Sequence, residues 1–168
     1  MRRFVMLSTF ALLASPPAET AAAQEPPRPA VELVAGVLVF PDDGTVRESM
    51  AGGSARFHLS PRIAIGPEIT FVQGSRHTHV IATGNLTFDV IGAAGAQEPP
   101  VTPFLVVGGG WYHSRDEFPS GSFNSNEGAF TAGGGVRARL GERLSIGAEV
   151  RIGWELHVRA NGLVGWRF

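Results

Sequence analysis

The chain has 168 residues, with 14 basic against 15 acidic side chains and a formal charge of −1, a balance that leaves no basic footprint for nucleic acid. It contains no cysteine, which excludes a disulfide framework and thiolate metal sites. All its basic residues are arginine, and its 22 glycines are about twice the usual share of ~7%, a composition that suits close backbone approach and bends in a strand-rich chain.

The chain opens with a basic pair, Arg2 and Arg3, followed by an apolar run from Phe4 to Ala14 and then Ala21, Ala22 and Ala23. This pattern is a secretory signal peptide with a small-residue cleavage site, placed after Ala23. The apolar run is too short to cross a bilayer as a helix. Removal of residues 1–23 takes away two arginines and one glutamate and moves the formal charge to −2. Residues 24–30, rich in proline, read as a short extended periplasmic leader.

Eight segments of alternating polarity follow, over 31–168. The first is Val31–Phe40, with Val31, Leu33, Ala35, Val37 and Val39 on one face. The second, Ser49–Ser60, sets Ala55, Phe57 and Leu59 against Ser54, Arg56 and His58. A tight turn at 60–62 leads to the third, Ile63–Gln73, where Ile63, Ile65, Ile69 and Phe71 oppose Glu68 and Thr70. Pro67 lies within this run; it lacks a ladder donor and predicts a bulge or weak pairing. The fourth, His79–Val90, sets Val80, Ala82, Gly84, Leu86 and Phe88 against Thr83, Asn85, Thr87 and Asp89. After a Gly/Ala/Pro-rich connection at 91–100 comes the fifth, Val101–Tyr112, apolar on both parities, so that its facing stays open. The sixth, Gly128–Leu140, sets Phe130, Ala132, Val136 and Leu140 against Thr131, Arg137 and Arg139. A turn at 141–143 precedes the seventh, Leu144–Trp154, where Ile146, Val150, Ile152 and Trp154 oppose Ser145, Glu149 and Arg151. The eighth, Leu156–Phe168, alternates Val158, Val164, Trp166 and Phe168 with His157, Arg159 and Arg167.

The period of two identifies strands with one oily and one polar face. Most segments run longer than the ~5–6 residues of a soluble strand and match the ~9–11 that cross a membrane at a tilt. An even strand number puts both termini on one side. The connections 60–62, 91–100 and 141–143 share that side, and 41–48, 74–78, 113–127 and a turn near Glu155 lie on the other. The polar stretch 113–127 reads as the longest loop.

Alternation alone does not say whether the oily face meets lipid or a core, because a soluble ligand-binding barrel alternates the same way turned inside out. The oily parity carries aromatics near strand ends, Phe57, Phe71, Phe88, Trp111, Phe130, Trp154 and Trp166, the arrangement of an interfacial girdle. The other parity carries mid-strand charges of both signs, Glu32, Arg56, Glu68, Arg137, Arg139, Glu149, Arg151 and Arg159, which can pair inside a narrow barrel. Together with the export signal these features favour lipid outside.

The stretches Thr83–Asp89 and Pro103–Gly110 and the Phe-terminated last segment resemble those of the eight-stranded outer-membrane β-barrel family typified by OmpA and OmpX, often labelled porin-like. The resemblance implies an all-β fold: a closed antiparallel up-and-down transmembrane barrel of eight strands in the bacterial outer membrane. It implies contact with outer-membrane lipids and lipopolysaccharide. The final strand, with Trp166 and Phe168, resembles the C-terminal signal read by the barrel-insertion machinery.

Three functional classes follow. The first is a structural or interaction role in the envelope, with the segments 41–48 and 113–127 presented outside to a possible ligand. The second is a small gated conductance controlled by re-pairing of Glu68, Glu149, Arg137 and Arg151, in which Arg137→Ala raises leakage. The third is lipid A modification. For this last, a His-x-Ser spacing is absent: His113 and Ser114 are adjacent and point to opposite faces, so no catalytic residue is assigned. His77 and His79 share a strand face without a third metal ligand implied by spacing, and read as a solvated rim. Asp42, Asp43 and Gly44 read as a hairpin turn. No cofactor or metal is expected, and the glycine runs at 108–110 and 133–135 sit within strands rather than before a helix, so they do not cradle phosphate.

Overall fold

A computed structural model describes residues 27–41, 46–74, 77–91, 99–118, 121–154 and 156–168. The signal segment 1–23 and the Asp42–Gly44 turn lie outside the described residues. Eight strands, β1 (Ala30–Phe40), β2 (Val46–His58), β3 (Ile63–Gln73), β4 (His77–Asp89), β5 (Val101–Phe118), β6 (Gly121–Leu140), β7 (Leu144–Gly153) and β8 (His157–Arg167), pair in sequence order. The barrel closes where β1 meets β8, from Ala30↔Arg167 to Val39↔Val158. Every pair is antiparallel, and closure leaves no open edge within the common span.

Every ladder keeps a single register from end to end, without a bulge. At Pro67 the β2–β3 ladder passes from Ser54↔Glu68 to Phe57↔Ile65, with no pairing between, and resumes in the same register. The missing proline donor therefore weakens the pairing locally and produces no bulge. On its other side Pro67 pairs with Gly84 of β4.

The period of two sorts side chains onto two faces. Leu33, Ile69, Phe71, Leu105, Val150 and Ile152 stand exposed on the outside. Glu32, Glu68, Arg137, Glu149, Arg151 and Arg159 are buried inside. Polar in and apolar out is the inverse of a soluble barrel. β5 is settled by the same rule: Leu105, Val107 and Trp111 face out, while Phe104 and Val106 are buried.

Two elements differ from the sequence expectation. β5 and β6 continue to Phe118 and Gly121, so most of the expected loop 113–127 is a paired hairpin. The barrel interior also holds two apolar clusters, Val34–Phe104–Val106–Leu163 and Leu38–Met50–Val72–Ile81. Both sit on the polar parity of their strands.

Candidate functional site

The interior is built in alternating charged and apolar groups along the barrel axis. Nearest the end that carries the termini, Glu32 of β1 accepts from Arg137 Nε at 2.9 Å and lies 3.4 Å from Arg56 Nη2. Arg137 also approaches Asp89 at 3.8 Å, and Asp89 stands 3.9 Å from His58 Nε2. The Arg137 guanidinium carbon lies 3.6 Å from the centre of the Phe104 ring, so a cation–π contact joins this group to the first apolar cluster. Gly135 leaves room here, because a Cβ would stand 2.8 Å from the Phe104 ring and would meet the Ala148 carbonyl oxygen of β7 more closely still.

Beyond the first apolar cluster comes a second group of charges. Arg151 Nη2 donates to Glu68 Oε2 and to Glu149 Oε2, each at 2.9 Å. Arg159, 0% exposed, donates to Glu68 Oε1 at 2.6 Å. Asn85 and Asn161 complete the carboxylates' hydrogen bonds at 3.2 and 3.0 Å. Two glutamates and two arginines balance here, as a low-dielectric interior requires. The Leu38–Met50–Val72–Ile81 cluster follows, with Phe40 and Tyr112 packed on it. At the far end His79 Nε2 lies 3.3 Å from Glu48 Oε2, and Phe40 meets the rings of His79 and His157 edge-on.

The candidate ion-pair residues thus fall into two clusters. Glu32, Arg56 and Arg137 form one, and Glu68, Glu149, Arg151 and Arg159 the other, while Arg139 is half-buried near the terminal end. The ion pairs of Arg137 run to Glu32 and Asp89, while Glu68 and Glu149 pair with Arg151. Asp89, Asn85 and Asn161 belong to the clusters and were absent from the candidate set. Their signal was available, since they share the inward parity. Phe104 gave none, because β5 is apolar on both faces.

The exposed aromatics divide between the two ends. Phe57, Phe88, Trp166 and Phe168 lie toward the terminal end, and Phe71, Trp111, Phe130 and Trp154 toward the other. His113 stacks on Trp111 at 5.4 Å and hydrogen-bonds Asn126 at 2.8 Å. Ser114, its neighbour, is buried on the opposite face, so the two do not form a nucleophile–base pair. His79 is buried inside the barrel beside Glu48, not on a solvated rim; the side chain of His77 lies outside the described set.

The strand count, the inverted faces and the aromatic distribution define an integral outer-membrane β-barrel. The chain belongs to the outer membrane protein beta-barrel domain family, whose model matches residues 8–168. No curated protein sequence matches it. Among solved structures it resembles Neisserial surface protein A, with a TM-score of 0.70, 10% identity and coverage of 83% of this chain and 97% of that one. It also resembles the N-terminal barrel of Pseudomonas aeruginosa OprF, with a TM-score of 0.67, 12% identity and coverage of 83% and 97%. The Yersinia pestis attachment invasion locus protein Ail matches with a TM-score of 0.60, 11% identity and coverage of 86% and 100%. At such identities the likeness speaks for the fold, and the family places the protein in the bacterial outer membrane.

Proposed function

We propose that this protein is a non-enzymatic surface-interaction component of the outer membrane, in which a filled barrel anchors an outward β-hairpin. The observation that carries this reading is the length of β5 and β6, 18 and 20 residues against 10 to 13 for the other strands. β6 pairs with β7 only from Thr131 onward, while its pairing with β5 continues to Gly121. From Gly121 to Ala129 the other edge of β6 has no strand partner among the described residues. Such an edge accepts an extended peptide by backbone hydrogen bonding. Asp116, Glu117 and Glu127 outnumber Arg115 on the hairpin, a balance that suits a protein partner better than a polyanion. The structure of Ail in complex with the heparin analogue sucrose octasulfate, matching with a TM-score of 0.53, supports ligand binding as a use of this fold.

In this reading the termini face the periplasm, the exposed aromatics form girdles at the two membrane interfaces, and Trp166 and Phe168 serve as the insertion signal. The packed lumen argues against open diffusion, because eight strands leave an interior that side chains fill.

The absence of cysteine gives a direct test of orientation. Ser122→Cys on the hairpin is expected to react with a membrane-impermeant maleimide on intact cells, and Glu142→Cys in the turn at the other end only after permeabilisation. The reverse pattern contradicts the proposal. Replacing residues 115–124 by Asn-Gly, which joins the Ser114↔Ser125 pair through a hairpin turn, is expected to leave the barrel folded. It should abolish binding of the cells to immobilised unstructured peptides, the partners an open strand edge takes, and undiminished binding would remove the hairpin's role.

A further inference from the structure

The lumen opens at the terminal end through a cavity of about 30 Å³, lined by Arg56, His58, Arg137, Arg139, Ser145 and Arg167. Asp89 is the carboxylate in its described lining. Since ~10–15 Å³ of such space holds one water, the cavity has the scale of a single small polar group.

The donors at its floor point to the chemistry of that group. Arg56 and Arg137 are 5% and 7% exposed, yet Arg56 Nε, Arg137 Nη1 and His58 Nδ1 have no hydrogen-bond partner among the described residues. The 3.8 Å from Arg137 Nη1 to Asp89 is an ion pair beyond hydrogen-bond length. Glu32 and Asp89 offset the two buried guanidiniums. Arg139 and Arg167, each with interactions of its own, add two more at the rim, and a guanidinium's five donors can serve more than one acceptor. Among the described turn residues at this end, Arg62 and Arg143 stand against Glu142.

We propose that this opening is a binding site for a small oxyanion, a phosphate or carboxylate group taken from the solution at the terminal end. Converging guanidiniums match the oxygens of either group through charge-assisted, bidentate hydrogen bonds. The site is separate from the hairpin and does not depend on its function.

Calorimetric titration of the folded full chain in a phosphate-free nonionic detergent tests it, with inorganic phosphate and acetate as separate probes. One saturable site per barrel, weakened by added salt, is expected for at least one of them. Arg139→Gln and Arg167→Gln, both lining the cavity at its rim, should each weaken binding by about tenfold, the effect of one charged hydrogen bond. Arg47→Gln, exposed at the far end, should not change it. The absence of saturable binding for both anions overturns the proposal, as does equal weakening by Arg47→Gln. Retention of the heat-dependent gel shift by each variant confirms that the folded barrel is being measured.

Discussion

Arg159 concentrates the physical problem of this fold in one side chain. It is fully buried, and its tightest partner is Glu68 at 2.6 Å. Glu68 also takes Arg151, so removing Arg159 leaves that carboxylate with one guanidinium in a low-dielectric interior. Breaking a buried pair from one side costs about 3–5 kcal/mol, because the surviving charge loses its compensation. Arg159→Ala is therefore expected to lower the denaturant midpoint by a corresponding amount. Arg159→Met with Glu68→Gln, which removes both charges and keeps much of the volume, should recover part of the loss. Urea titration of the folded barrel in detergent micelles measures both; an unchanged midpoint for Arg159→Ala would show that the pair is stabilised by water instead. Leu156 is a second single-residue cost. Its φ of 42° is a left-handed conformation that L-residues avoid, accepted to close the tight connection between β7 and β8.

At the scale of elements, the sequence exposes what lipid imposes and conceals what it does not. Within the membrane span one face must be apolar, so the strands announce themselves by alternation; on the charged parity Glu32, Arg56, Glu68, Arg137, Glu149, Arg151 and Arg159 are buried, and Arg139 is half-buried. Above the span both faces of a hairpin are wet. His113 to Glu127 therefore show no periodicity and read as a loop, although backbone pairing continues to Phe118 and Gly121. The apolar members of the lumen are masked by residue type: Val34 and Leu38 look lipid-facing although they share the parity of Glu32, and Phe104 lies on a strand apolar on both parities. Glycine at 135 is the element-level device that admits Phe104 beneath Arg137. Gly135→Val is expected to drive against the β7 backbone at Ala148 and Glu149 as well as the ring, and to destabilise the barrel by at least about 3 kcal/mol, the upper end of the cost of overpacking. The same urea titration checks it, and Gly128→Val, in open space, is the matched control expected to have a smaller effect.

Over the whole molecule, alternating charged and apolar groups make the lumen a packed interior rather than a pore. The outer surface supplies the converse face, with aliphatic side chains exposed around the wall and aromatics toward both ends. Such a surface is incompatible with a free monomer in water, where contiguous apolar patches of this extent are not tolerated; it requires a bilayer. The fold and its membrane location were legible in the sequence because they follow from strand periodicity and from which face carries the charges. The division of the charges into two clusters was not, because it depends on how the ladders stagger around the barrel. The central claim, a closed barrel with lipid outside and charge within, is tested most directly by migration of the outer-membrane fraction on SDS gels with and without boiling. The account predicts that the protein is found in that fraction and that its unboiled form runs faster, as a compact barrel resistant to the detergent. A soluble periplasmic protein with the same mobility in both lanes would contradict it and return the oily face to the interior.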